Sequence, residues 1–249
     1  MSNDDYVTFN PTIPKHKPFL TRIILTFIAT MFIIEVLYGA MYSEKAIIFL
    51  GAKWNPGITD GEYWRFISCT FLHGNLLHLL LNITALYIFA FEVESIFGPF
   101  RFLLIYLISS WGAGLASYAF SSGIAIGASG ALFGIIGSLI VFFFRQREKM
   151  SGANLKFKSM YTLVIINLLL GFLLPRIDNS AHLGGLISGF ITAWFISPEY
   201  ILKKDERIGE LSVTKKKDLY RVLSGLFLII TVLFWLTRLA VSFQRNHIL

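Results

Sequence analysis

The stretch Ile126-Gly127-Ala128-Ser129-Gly130 opens an apolar run that continues to Phe144. A run of that length reads as a transmembrane helix, because roughly 20 residues rising 1.5 Å each cross the hydrocarbon core of a bilayer. A serine between glycines at the start of such a helix can expose its hydroxyl to a reacting group. Neighbouring backbone N–H groups can point at the same spot. The hydroxyl is a weak nucleophile until a positioned base takes its proton. The best candidate base is His182, in Ser180-Ala181-His182-Leu183-Gly184-Gly185, which opens another apolar run. A third run opens with His73-Gly74-Asn75-Leu76-Leu77-His78 and carries Asn82 one turn later. Three apolar segments thus place polar chemistry near one end.

The rest of the chain agrees with a membrane setting. Of 249 residues, 55% are hydrophobic and 15% charged, and the mean hydropathy is +0.65. Soluble domains carry about 25% charged residues. Seven spans are predicted: Phe19 to Tyr42, Leu72 to Ser95, Phe102 to Phe120, Gly127 to Phe144, Ser159 to Leu174, Ala181 to Ile196 and Leu219 to Phe243. Gly98-Pro99, Pro175 and Pro198 supply stops. The fold class expected is an all-α membrane protein, a polytopic helical bundle. Residues 1–18 read as a short tail with Pro11, Pro14 and Pro18, without a cleavable signal or room for a large soluble domain. The connection 43–71, with Trp54, Tyr63 and Trp64, suits the membrane interface. Glu35 falls near the far end of the first span, where it can snorkel or pair.

Lysines and arginines collect on one set of loops, from Lys15, Lys17 and Arg22 through Arg101, Arg145, Arg147 and Lys149 to Lys203, Lys204, Arg207, Lys216, Lys217 and Arg221. That set should be cytoplasmic, with the N-terminus inside and the C-terminus outside. The net charge of +7 therefore follows membrane topology, and no nucleic-acid partner is expected. The second, fourth and sixth spans then all run inward from the outer face. His73, His78, Ser129 and His182 lie together on the outer side, where random polar residues would scatter.

Helix spacing suggests how Ser129 and His182 could meet. Gly130, Gly134 and Gly137 make a small face on one helix, and Gly185 and Gly189 on another. Such faces let membrane helices approach closely. Phe133, one turn below Ser129, can pack on the imidazole. His78 and Asn82, spaced i and i+4, share a face and carry N–H donors suited to a developing oxyanion. A polar interhelical contact is the other reading of that pair. His73 is expected to orient or pin the loop, and His73 with Asn75 to line the mouth of a hydrated cavity. Three histidines can ligate zinc, but that leaves Gly127-Ala128-Ser129-Gly130 unexplained, so no metal is expected. Asp178 sits in a short outer loop and Glu92 and Glu94 a bilayer away, so a dyad is read, not a triad. The lone Cys69 excludes an intrachain disulfide.

Together these residues resemble the rhomboid family of intramembrane serine proteases. The motifs are Gly127-Ala128-Ser129-Gly130, His73-x4-His78-x3-Asn82, Ala181-His182-x2-Gly185-x3-Gly189, Trp64-Arg65 and Glu94-x3-Gly98. The resemblance implies a six-helix catalytic core over residues 19–197, a linker at 198–218, and an added seventh helix in 219–249. It implies cleavage of transmembrane segments of other membrane proteins within the lipid bilayer. It assigns Ser129 as nucleophile, His182 as general base and acid, His78 and Asn82 with the Ser129 amide as oxyanion hole, and Trp64 and Arg65 as structural loop residues. It implies no cofactor, and substrate access near the fifth helix. Phe133 stands where some members have tyrosine. The bacterial plasma membrane is the expected location. A catalytically silent relative that binds transmembrane helices is the alternative, though such a relative would be expected to lack the serine or the histidine. A small-molecule transporter would need polar residues along a path, and Asn167 is the main one at mid-depth. The substrate and the oligomeric state are not legible.

Overall fold

The computed structural model describes residues 15–148, 150–174, 177–204, 211–215 and 218–248. Pro11, Pro14, Lys149, Pro175, Arg176, Arg207, Lys216 and Lys217 lie outside the described residues. The architecture is an all-α bundle. Its long helices are α1 (Leu20–Leu37), α5 (Leu76–Phe97), α6 (Pro99–Phe120), α7 (Ser129–Gln146), α8 (Ala153–Leu173), α9 (Asn179–Ile196) and α10 (Leu219–Ile248). The connection between α1 and α5 folds into short helices α2 (Glu44–Phe49), α3 (Asn55–Thr59) and α4 (Arg65–Ser68), then a 3-10 turn at Cys69–Phe71. The linker read at 198–218 carries a small antiparallel hairpin, β1 (Tyr200–Lys204) paired with β2 (Leu211–Lys215).

Six helices, α1, α5, α6, α7, α8 and α10, are long and apolar enough to cross a membrane. The sequence predicts seven spans, and α9 falls outside that set. It has spent its positions on Asn179, Ser180, His182, Ser188 and Thr192 and on three glycines, Gly184, Gly185 and Gly189. Its place is nonetheless central, packed along α6 and α7.

That three-helix packing rests on missing side chains. A Cβ added at Gly189 would collide with the backbone of Gly134, and one at Gly185 with the carbonyl of Gly130. A Cβ at Gly137 would come within 2.8 Å of the Leu186 carbonyl oxygen. On α6, Gly112 leaves room for Ser188. Backbone therefore meets backbone, which is how membrane helices gain van der Waals contact when lipid removes any hydrophobic advantage. The innermost helix is α7, buried on nearly every face, as expected of a helix apolar all round.

Polar groups fix the helix ends. Glu94 of α5 is fully buried and accepts from the amides of Phe19, Leu20 and Thr21 at 2.7–2.9 Å and from the Thr21 hydroxyl at 2.7 Å. It closes the open N-terminus of α1, whose first N–H groups have no helical acceptor and whose dipole favours a carboxylate. Gly98 turns the chain from α5 into α6 with φ of +85°, and Pro99 occupies the first helical turn, where its missing N–H costs nothing. Asn75 caps α5 by accepting from the His78 amide at 2.8 Å. The helix thus starts after His73, four residues later than the apolar run suggests. Asp178 caps α9 through the Ala181 amide at 3.0 Å.

Candidate active site

Ser129 and His182 begin α7 and α9 at the same end of the bundle. The Ser129 Oγ lies 3.0 Å from His182 Nε2. The Phe133 ring stacks on the imidazole, with centroids 4.3 Å apart and planes 9° from parallel. The His182 Nδ1 is buried without a hydrogen-bond partner among the described residues, and none of their carboxylates holds the far side of the ring. Asp178 is on the same cavity wall, but its oxygens accept from the Ala181 amide and, at 2.5 Å, from the Ser117 hydroxyl.

The pair opens into a cavity of about 830 Å³. Its lining includes Asn75, His78, Asn82, Gly127, Ser129, Phe133, Asn167, Asp178 and His182. His78 therefore faces the same space as Ser129. Its ring sits so close to Gly127 that a Cβ there would come within 2.7 Å of Cε1 and Nε2. Gly127 also holds φ of +119°, a conformation that favours glycine. Asn82 is nearly buried, and its amide nitrogen donates to the His78 carbonyl one turn back at 2.9 Å. Asn167 joins the cavity from α8, a helix mostly exposed along its length.

Two expectations need correction. His73 does not line the cavity mouth: it is fully buried, with both ring nitrogens unpartnered, and lies edge-on to His78 at 5.0 Å between centroids. Burial, and next the neighbouring His78, push its pKa down to about 4, so it stays neutral at ordinary pH. The mouth residue is Asn75 alone of the two. Glu35 neither snorkels nor forms an ion pair among the described residues. Its buried carboxylate accepts from the His73 amide at 2.9 and 3.1 Å and so ties α1 to the chain entering α5.

Arg65 donates to the Ile48 and Ala52 carbonyls at 2.6 and 3.0 Å and to Glu62 at 2.5 Å, and its guanidinium lies over the Trp64 ring at 4.5 Å. The half-exposed Trp64 faces outward. Sequence reasoning missed Lys53. It is fully buried, and its Nζ donates to the Ser121 and Gly123 carbonyls at 2.7 and 2.9 Å. Its backbone exchanges a pair of hydrogen bonds with Ala125, at 3.0 and 3.2 Å. The Gly127 amide adds a bond to the Cys69 carbonyl at 2.9 Å. The loop before α5 thereby holds the segment that leads into Ser129. A lysine inside a loop of this length carries no spacing signal, so only its partners reveal it. Among the described residues there is no cluster of three or more His, Cys, Asp or Glu that could hold a metal ion.

Comparison with known proteins places this geometry. Residues 60–199 match the Rhomboid domain family model, more than half of the chain. Rhomboid protease GluP of Bacillus subtilis (strain 168) is 37% identical over 180 residues, covering 71% of this chain and 34% of that protein. RHOMBOID-like protein 5 of Arabidopsis thaliana is 35% identical over 164 residues, 61% of this chain and 53% of that one. RHOMBOID-like protein 4 of the same plant is 39% identical over 146 residues, 57% and 37%. The chain thus spans between about a third and a half of the length of these relatives. It belongs to the rhomboid family, and with its six apolar helices it is a multi-pass integral membrane protein.

Proposed function

We propose that this rhomboid is an intramembrane serine endopeptidase that cuts transmembrane segments of other membrane proteins. The observation that carries the reading is the 3.0 Å approach of Ser129 Oγ to His182 Nε2 at a hydrated-sized cavity in an apolar bundle. A polar site inside apolar helices is costly unless it is functional and lines water.

In this reading His182 Nε2 takes the Ser129 proton as Oγ attacks the scissile carbonyl. The proton then passes to the leaving amine, the peptide C–N bond breaks, and an acyl ester forms on Ser129. Water from the cavity, deprotonated by the same nitrogen, hydrolyses the ester. His78, Asn82 and the Ser129 amide form the oxyanion hole. The Asn82 amide now donates to the His78 carbonyl, and needs only one of its two N–H groups for that bond. The stacked Phe133 and the buried Nδ1 leave His182 positioned by packing, in keeping with a dyad.

The charge asymmetry orients the molecule, with the Ser129 end outside, the far ends of α7 and α9 cytoplasmic, and the C-terminus outside. Residues 19–197 form the catalytic core. The membrane is assigned to a bacterial cell.

The test is cleavage of a labelled transmembrane reporter in proteoliposomes, with Ser129→Ala and His182→Ala in parallel. The parent should cut, and each variant should lose at least roughly 10³-fold in rate, as when one member of a serine dyad or triad is removed. Equal rates in parent and variants would remove the protease reading and leave helix binding in its place.

A further inference from the structure

Far from Ser129, at the other end of the bundle, a second polar cluster has no part in this chemistry. Arg101 begins α6, Arg145 ends α7, Ser197 follows α9 and Arg221 begins α10. Sixteen residues of α7 separate Ser129 from Arg145, or about 24 Å at 1.5 Å per residue. Four side-chain atoms here are buried with no hydrogen-bond partner among the described residues: Arg101 Nη1, Arg145 Nη1, Ser197 Oγ and Arg221 Nε, the last within ion-pair distance of Asp218. All four can donate, and Ser197 is 1% exposed. Buried donors are normally satisfied, and charged ones cost more than neutral ones when they are not.

The acceptors present do not suffice. Arg145 uses Nη2 on the Trp194 carbonyl at 2.8 Å and stacks over the Trp194 ring at 4.5 Å. Arg221 donates to the Ser197 carbonyl at 2.9 Å and pairs with Glu199, and Asp218 lies 3.3 Å from its Nε. Both carboxylates therefore serve Arg221 first, and Arg101 forms no ion pair among the described residues. Tyr200 donates to the Ile96 carbonyl at 2.9 Å, which folds the chain after α9 back against the end of α5. The Arg221 charge opposes those of Arg101 and Arg145 across this corner, and Glu199 offsets it in part at Arg145.

We propose that Arg101, Arg145, Arg221 and Ser197 form a binding site for one phosphate-class anion, supplied by an anionic phospholipid headgroup or by phosphate from solution. A tetrahedral oxyanion offers several acceptor oxygens to convergent N–H and O–H donors, and guanidinium forks match that geometry. The anion also relieves the repulsion of Arg221 on Arg101 and Arg145. Its position at the ends of α6, α7 and α10 lets it tie the added seventh helix to the core.

The experiment uses the purified full chain in detergent. Dioctanoyl phosphatidylglycerol, dioctanoyl phosphatidylcholine and inorganic phosphate are titrated separately, and bound ligand is counted by native mass spectrometry. Phosphatidylglycerol should saturate at one molecule, phosphatidylcholine should not, and Arg101→Gln and Arg145→Gln should each weaken binding roughly tenfold, the loss of one charge-assisted bond. Arg101→Lys should lose less, and Lys158→Gln, an exposed cation on α8, should change nothing. Saturable binding of inorganic phosphate with the same arginine dependence assigns the anion to solution and keeps the site. Absence of saturable binding by either anion overturns the proposal, as does binding that Arg101→Gln and Arg145→Gln leave unmoved. Far-UV helicity confirms that each variant is folded.

Discussion

Gly127 shows how much one residue decides. Its φ of +119° and the His78 ring pressed against it both exclude a side chain, and the turn they make brings Ser129 to the mouth of α7. Phe133 sets the other half of the pair. Phe133→Ala should lower kcat about tenfold by loosening the imidazole, with little change in KM, whereas Phe133→Tyr, which keeps the ring, should stay near the parent; steady-state kinetics on a reporter checks both. His73 gives a pH signature of stability. An unfolded histidine titrates near 6.5, but the buried His73 refuses a proton until about 4. Between those values the unfolded chain binds more protons, so stability falls as pH drops through that window. Thermal unfolding of His73→Phe against the parent should show a shallower decline from pH 6.5 to 4. For activity, proposed here to need neutral His182, the rate should fall tenfold per pH unit on the acid limb; a profile flat throughout the acid range contradicts that role.

Among the elements, the seam of α6, α7 and α9 and the loop before α5 carry the site. Gly189→Val puts a branched side chain into the backbone of Gly134. It should destabilise the fold by about 1–3 kcal/mol, the usual cost of overpacking, and lower activity by moving His182 away from Ser129; chemical denaturation and the cleavage assay read the two effects. Lys53→Met leaves the Gly123 carbonyl without its donor and the Ser121 carbonyl with the Asn55 amide alone, at 3.1 Å. At about 1.5–3 kcal/mol for a charged hydrogen bond, the turn into Ser129 should loosen, seen as faster amide exchange over 121–127. The glycine spacings made the α7–α9 contact legible in the sequence, though not the place of α6 beside it, and the i and i+4 pair made one face of α5 legible. Lys53 was not legible in that way, because its partners lie many residues off and no periodicity marks it. Helix starts shifted for a related reason. Apolar runs extend to Leu72, but Asn75 ends the helix there by capping it.

At the scale of the whole molecule, two polar clusters occupy opposite ends of an apolar bundle, Ser129 with its cavity at one and the arginines at the other. Apolar runs disclosed the six core helices, α9 among them, although α9 is not apolar enough to stand among the six candidate membrane spans of the described residues. The hairpin at Tyr200–Lys204 and Leu211–Lys215 was not legible, because neither five-residue stretch alternates apolar and polar residues along its whole length. The seventh helix meets the loop around the site as well as the core. Arg245 donates to the Thr59 carbonyl at 2.8 Å, and Trp111 donates to the Thr237 hydroxyl at 3.2 Å.

The measurement that bears most directly on the account is covalent labelling by a fluorophosphonate in a bilayer, with the modified peptide located by mass spectrometry. One adduct is expected, on Ser129, lost in Ser129→Ala and strongly slowed in His182→Ala, because only an activated serine reacts. An unlabelled Ser129 in folded protein, or labelling that His182→Ala leaves unchanged, would contradict it.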